Sequence, residues 1–468
     1  MALISMFLSK LDRRWWATFN ISIGIFMSTL DASVVNISLP TITQALNTNL
    51  KTVAWVVIAY LIVITGCLLW MGRLADLFGQ KRIYLFGLLA FTLGSALCGF
   101  SSTIYFLIGS RMIQGLGASA LMAVGPAIIT TAFPEKERGQ ALGIVGSIVS
   151  VGFIAGPLLG GFLVDHFGWR SIFFVNLPVG AFGIFLSSRV LERDQVTGKV
   201  QVDVWGAFFL FFFLTFLLLF LNRAAEGWMA LPHGWLFISL CSLILFLMAE
   251  YRSPSPLVDL HLFRRRLFIS SLGTSLFSFT MNAAHTFVLP FFLQDILKFS
   301  PSKVGLFMFP IAFTVMVIAP LGGKVSDRVG VRLPATVGLM LTSLTIFSFA
   351  FLGSPIRDYS ILWRQVILGI GVGLFNPANN SAIIGSLPKE RIGLASSFLA
   401  LSRNLGIVIG VAFAEMVVTL RQSTAPSGAG GIPSPENIRD VWEWALLIGL
   451  TAILLSWIRE KGMHPSRK

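Results

Sequence analysis

Charge is what this 468-residue sequence has least of. Asp, Glu, Lys and Arg make up 12% of it, about half the share of a soluble chain. With 55% of residues hydrophobic, that deficit excludes a soluble enzyme and a disordered chain. Cysteine is nearly absent as well. Cys67, Cys98 and Cys241 each sit inside an apolar run, which excludes a secreted disulfide scaffold and leaves the redox compartment open. There is no collagen-like repeat. No Gly-x-x-x-x-Gly-Lys-Ser/Thr loop occurs, so ATP hydrolysis is not expected. Gly369-Ile-Gly371-Val-Gly373 lies in an apolar run rather than after a strand, and so is not a dinucleotide loop. Neither His-Glu-x-x-His nor Cys-x-x-Cys is present, and no metal or cofactor is expected. Apolar residues run continuously instead of alternating, which excludes a transmembrane barrel.

What fills the chain is membrane-spanning sequence, with a mean hydropathy of +0.81. Runs long enough for helices lie near 15–39, 52–70, 83–100, 104–133, 141–164, 172–191, 204–221 and 234–249. Six more lie near 267–292, 304–321, 334–352, 361–384, 392–420 and 442–458. The reading is an all-α polytopic membrane protein of about fourteen spans. The charges of Met1–Trp16 follow a short apolar stretch with no cleavage site, so a retained first helix is expected rather than a signal peptide. An even span count puts both termini on one side. Placing them in the cytosol puts about 24 of the 35 Lys and Arg residues there, as positively charged inner loops require. The net charge of +14 is thereby topological, and nucleic acid is not expected as a partner.

The chain repeats itself. Gly72-Arg-Leu-Ala-Asp76-Leu-Phe-Gly79-Gln-Lys-Arg82 returns as Gly323-Lys-Val-Ser-Asp327-Arg-Val-Gly330-Val-Arg332, and Pro126 returns as Pro377 at the same spacing. Pro134-Glu-Lys-Glu-Arg138-Gly139 is echoed by Pro388-Lys-Glu-Arg391-Ile-Gly393. Two homologous six-helix halves, 1–200 and 253–468, with two added helices in 201–252, are the simplest arrangement. Parallel repeats of this kind mark transporters.

Several residues stand out for chemistry. The Gly-x-x-x-Asp-x-x-Gly strings read as short cytosolic loops whose glycines serve tight reversal and whose Asp76 and Asp327 pair with basic neighbours or cap helices. They are either solvated turns or a lock that opens when the halves rock. Gly152, Gly156 and Gly160 make a flat stripe beside Pro157, a close-packing face or a hinge. Asp31 and Arg111 are ionisable groups deep in apolar runs, functional by default. If their helices are neighbours they can pair, permanently or as a switch. Burial disfavours a carboxylate and a nearby guanidinium favours it, so helix movement could load and unload a proton. Glu415 is the other such acid, sharing a face with Asn404; it either carries a proton or snorkels to the surface. Ser271, Ser275, Ser278, Asn282 and His285 fall on one helix face, with His285 expected to line a wet cavity. Asn376, Asn379 and Asn380 flank Pro377, serving its kink, the cavity, or both. Asn36 and Gln114 are further cavity candidates.

Together these strings resemble the major facilitator superfamily, and more narrowly its fourteen-helix drug:proton antiporters of the EmrB/QacA type. Leu30-Asp31-Ala-Ser-Val-Val-Asn36-Ile-Ser-Leu39-Pro40 is similar to that family's first-helix motif, Gly72 to Arg82 to the superfamily loop motif, and Arg111-Met-Ile-Gln114-Gly115-Leu-Gly117 to the fourth-helix motif. Gly152 to Gly161 resembles the antiporter motif, and Trp169-Arg170 through Asn176-Leu-Pro178 the sixth-span entrance. The resemblance implies rocker-switch alternating access, a central cavity, and proton-coupled efflux through Asp31 and Arg111, with Asp76 and Arg82 in the cytosolic lock. The few membrane acids count against dicationic substrates. The expected protein is a monomer in the cell (inner) membrane, a proton-driven exporter of small lipophilic or amphipathic molecules. A dedicated exporter of one endogenous lipid or metabolite is the second reading, and a non-transporting membrane scaffold or sensor the third. An enzyme is not expected, because His285 has no nucleophile or metal beside it in the sequence.

Overall fold

The computed structural model describes residues 13–133, 148, 151–152, 155–191, 204–224, 233–253, 265–353, 356–387, 392–424 and 434–458. Among them the chain is helical throughout. In order come α1 Arg13–Ala45, α2 Leu50–Phe78, α3 Gln80–Gly99 and α4 Ile104–Ala132. Residues 155–167 form α5. Then follow α6 Ser171–Phe174, α7 Asn176–Val190, α8 Val204–Ala224 and α9 His233–Arg252. Last are α10 Arg266–Phe291, with a π-helical turn at Phe292–Ile296, α11 Pro301–Val329, α12 Arg332–Phe349, α13 Asp358–Gly385, α14 Ile392–Thr424 and α15 Pro435–Trp457.

Capping chemistry sets several starts. The Thr103 hydroxyl accepts from the Phe106 N–H at the head of α4. Ser300 and Ser434 cap α11 and α15, each followed by proline at the first helical position, where a missing N–H costs nothing. At one helix end, the Lys81 ammonium donates to the Ser188 and Leu191 carbonyls at 3.1 and 2.6 Å, covering the exposed acceptors that end α7. Arg265 does the same for the end of α13 through the Ser386 carbonyl.

Eleven helices among the described residues are long and apolar enough to cross a membrane. The chain is a multi-pass membrane protein. Of the fourteen expected spans, 141–164 falls partly outside the described residues, α8 contributes a shorter apolar stretch at Phe208–Leu217, and α15 is helical but not among the eleven. Helices also outrun their apolar runs. Thus α1 continues through Pro40 to Ala45, which places Asp31 about 21 Å from its end, not the roughly 12 Å expected from a stop at Leu39.

The chain divides into two compact units. One comprises Met1–Leu46, Trp55–Thr215 and Ser239–Leu257, the other Asn47–Ala54, Phe216–Ile238 and Val258–Lys468. Each contains the same close helix crossing. A Cβ on Gly117 of α4 would lie 2.7 Å from the Gly87 carbonyl of α3, and one on Gly371 of α13 would lie 2.8 Å from the Gly338 carbonyl of α12. Small residues let backbones touch where lipid supplies no hydrophobic force. The sequence repeat is therefore a repeat of packing.

The repeated Gly-x-x-x-Asp-x-x-Gly strings require a correction. They are not loops. Helix α2 runs through Gly72 and Asp76 to Phe78, and α11 through Gly323 and Asp327 to Val329. Only Gly79 and Gly330 leave the helix, with φ of 101° and 86°. Their ψ values of 143° and 162° put them in a region open to glycine alone. Gly72 is helical with open space around it, so the turn argument does not apply to it. The Asp76 side chain lies outside what is described. Asp327 and Arg82 are exposed, and Asp327 has no ion pair among the described residues. Gly79→Ala and Gly330→Ala are each expected to cost about 1–3 kcal/mol, whereas Gly72→Ala stabilises by roughly 0.5–1 kcal/mol. Thermal unfolding of the purified variants in detergent checks this ordering.

Candidate functional site

The site is built on α1, α2, α3, α4 and α7 of the first unit. Three of its side chains, Asp31, Gln114 and Tyr60, and one backbone carbonyl, Val56, meet a single cation, Arg111. Arg111 on α4 and Asp31 on α1 are 1% and 2% exposed. Their Nη1 and Oδ2 atoms are 2.5 Å apart. The same Nη1 donates to Gln114 Oε1 at 2.7 Å, and Gln114 Nε2 donates to Asp31 Oδ1 at 2.9 Å. Gln114 stands three residues after Arg111 on the same helix, which puts both on one face. It closes a ring of three side chains in which each carboxylate oxygen accepts.

Outside that ring lies a second set of partners. Asn176 Nδ2 at the head of α7 is 3.4 Å from Asp31 Oδ1 and donates to Ser95 Oγ at 3.0 Å. Ser95 Oγ in turn donates to the Phe173 carbonyl at 2.8 Å. Arg111 Nε donates to the Val56 carbonyl of α2 at 3.0 Å. The guanidinium carbon stands 3.9 Å from the centre of the Tyr60 ring, a cation–π contact strengthened by burial. The Cys98 thiol reaches Gln114 Oε1 at 3.7 Å. This is a charge-neutral polar network enclosed by five helices. Each charge is paired, Oδ2 accepts from the guanidinium and Oδ1 from the Gln114 and Asn176 amides, and close pairing with added hydrogen bonds is what offsets the cost of burying ions.

The glycine stripe holds the opposite face of α1. Cβ atoms on Gly152 and Gly156 would collide with the Thr29 and Ser33 hydroxyls, and one on Gly160 would lie 3.1 Å from Val34. Thr29 and Ser33 are one turn apart, with Asp31 about 200° round the helix from Thr29. Helix α1 is thus wedged between a smooth glycine face and the Arg111 network. Pro157 is buried within that stripe. Asn36 lies farther along α1, its Nδ2 bonded to the Ala32 carbonyl of its own helix at 3.4 Å.

The other expected residues belong to the second unit. Ser271, Ser275, Ser278, Asn282 and His285 do share one face of α10. The expectation that His285 lines a wet cavity is corrected. The ring is 1% exposed and packs between Phe349 of α12 at 4.7 Å and Trp442 of α15 at 6.2 Å, because α10 turns that face toward α12 and α15. Gln114, expected in a cavity, is also corrected: it is part of the ion-pair network. Asn282 bonds the Ser278 carbonyl one turn back. On α13, Asn379 is buried while Asn376 and Asn380 are half-buried around Pro377. On α14, Asn404 is buried and Glu415 fully so, with the Thr419 hydroxyl donating to its Oε1 at 3.0 Å. Snorkelling does not describe Glu415. No three His, Cys, Asp or Glu side chains gather as metal ligands among the described residues.

The partners that sequence reasoning missed are Tyr60, Ser95, Asn176 and the Val56 carbonyl. Asn176 stood in the recognised Asn-Leu-Pro string, and its position at the start of a helix was the available signal.

Comparison with known proteins converges on one class. Residues 21–411 match the model of the Major Facilitator Superfamily. The chain is 35% identical over 407 residues to the riboflavin transporter RibZ of Clostridioides difficile, covering 86% of this chain and 88% of that protein. It is 33% identical over 419 residues to the multidrug resistance protein Stp of Mycobacterium tuberculosis, covering 88% and 78%. Among solved structures, a bacterial homolog of the human lysosomal transporter Spinster, inward-facing and unoccupied, superposes with a TM-score of 0.69 at 16% identity over 96% of this chain and 97% of that one. A D-xylose–proton symporter gives 0.67 at 14% identity, over 96% and 98%.

Removing one member of the buried pair leaves the other uncompensated. Asp31→Leu or Arg111→Leu alone is expected to cost about 3–5 kcal/mol of stability, and the double variant markedly less than their sum. Unfolding midpoints of the four proteins in one detergent test this non-additivity.

Proposed function

Because the chain belongs to the major facilitator superfamily, as a multi-pass transporter and not an enzyme, we propose that it exports small lipophilic or amphipathic molecules in exchange for protons. The carrying observation is the buried Asp31–Arg111–Gln114 ring, in which an ionisable acid on one helix is bound to an arginine on another. In this reading the chain has fourteen spans in the cell membrane, cytosolic termini, and two six-helix halves, 1–200 and 253–468, flanking the helices of 201–252. It works as a monomer by alternating access.

The chemistry follows from the pair. With α1 and α4 in contact, Asp31 is ionised and neutralises Arg111. When the helices shift, the carboxyl loses its guanidinium and stays in a buried place only by binding a proton. The glycine face of α5 gives α1 a surface on which to slide without interlocking side chains. Return of Arg111 expels the proton. Each charge crossing 100 mV of membrane potential yields about 2.3 kcal/mol, enough to concentrate a substrate tens of times. Glu415, buried on α14, is a second acid in the membrane and the candidate for a further proton. The polar groups on α13 and α14, Asn376, Asn380 and Asn404, are candidates for substrate contact, together with Asn36, Ser278 and Asn282. The glycine-ended helix reversals at Gly79 and Gly330 serve as the stops of the movement.

A second reading, transport of one metabolite, is favoured by the likeness to a riboflavin transporter. Proteoliposomes with an imposed pH gradient separate the two. Wild-type protein is expected to move several unrelated amphipathic dyes, and Asp31→Asn to lower gradient-driven flux at least about tenfold. Flux of riboflavin alone selects the second reading, and full flux by Asp31→Asn removes the proton role.

A further inference from the structure

The second unit contains a buried arginine that the proposed proton pathway does not use. Arg364 lies six residues into α13, as Arg111 lies seven into α4. It is 8% exposed. Its resident partners are all neutral. Nε donates to Ser348 Oγ at 3.0 Å, and Nη1 donates to the Ser360 carbonyl at 2.7 Å and to Ser360 Oγ at 2.5 Å. Its guanidinium carbon lies 4.5 Å from the Trp363 ring centre and 5.8 Å from that of Phe349.

No carboxylate among the described residues pairs with it. Asp358, the acid on the same helix, is bridged to Lys303 at 3.0 Å, and Arg439 takes Glu443. The contrast with Arg111, which has Asp31, is direct. A guanidinium withdrawn from water without a counter-charge is costly, and its planar fork matches phosphate and carboxylate oxygens. Nη2, which has no hydrogen bond here, is not among the buried unsatisfied atoms, so the fork has an accessible edge. Six residues correspond to roughly 9 Å from the helix start. The same helix end presents exposed Tyr359 and Trp363, the aromatics that settle at the headgroup level, with the Arg357 Nη1 3.3 Å from the Tyr359 hydroxyl.

We propose that the Arg364 fork, set by Ser348 and Ser360 and flanked by Trp363, is a binding site for an oxyanion, either an anionic phospholipid headgroup or a soluble phosphate or carboxylate. The site is independent of the proton-coupling reading and stands whether or not that reading holds.

The test uses the full-length protein purified into detergent with phosphatidylcholine as the only lipid. Phosphatidylglycerol is titrated and followed by native mass spectrometry; inorganic phosphate is titrated and followed by thermal unfolding. Arg364→Gln is expected to weaken phosphatidylglycerol binding roughly tenfold or more, while Arg439→Gln leaves it unchanged. A phosphate-dependent rise in unfolding midpoint, lost in Arg364→Gln without any lipid effect, assigns the site to soluble oxyanions. Arg364→Lys keeps the charge but not the fork, and serves if the glutamine variant does not fold; it too is expected to weaken the bound probe. Neither probe binding wild-type protein, or both binding the variants as tightly as wild type, overturns the proposal.

Discussion

A guanidinium is costly to keep out of water without an anion beside it, and for Arg111 that anion is one carboxylate, Asp31. Arg111 and Asp31 meet at 2.5 Å in a place with almost no exposed surface. Desolvation costs several kcal/mol per ion, and only close pairing with saturated hydrogen bonding offsets it. The positions of α2, α4 and α7 against α1 are tied to that requirement, since Val56, Gln114 and Asn176 each bring a group to the pair. Such an arrangement contributes little net stability compared with apolar packing. In the mechanism we propose, its value is that moving one helix changes the protonation the acid can sustain.

The glycines supply the complementary half of the design. In the proposed mechanism the buried pair separates, which needs helices that can move, and interlocked leucines would resist it. Helix α1 meets Gly152 and, on α5, Gly156 and Gly160, so its back is smooth while its front is held by charge. Elsewhere, at Gly117 against Gly87 and Gly371 against Gly338, the same close approach joins helices within each unit. The solved transporters that superpose on this chain at 14–16% identity share the architecture and little of the side-chain chemistry. The fold permits transport, and what is carried is decided by residues that differ.

Much of this is legible in the sequence itself. An acid or arginine inside an apolar run is expensive enough to be noticed, and Asp31, Arg111 and Glu415 all proved buried. The repeat could be read because Asp327 and Pro377 recur at one spacing from Asp76 and Pro126. The reasoning failed where a residue carries no such cost. Ser95, Tyr60 and Asn176 are neutral, fit any membrane helix, and become partners only through tertiary placement. Helix ends were missed for a related reason. Pro40, Gly72 and Gly323 look like breakers, yet a helix continues through each. His285 was misplaced because one polar face of a helix does not say whether it meets solvent or aromatic rings.

The central claim is that Asp31 changes protonation as the protein works. Infrared difference spectroscopy on the reconstituted protein, recorded while a transported dye is added, reads this directly. The account predicts a carboxylic-acid carbonyl band that appears or disappears with dye and is missing from Asp31→Asn. An unchanged carboxyl region in a wild-type sample that transports the dye, or the same band in the variant, contradicts it.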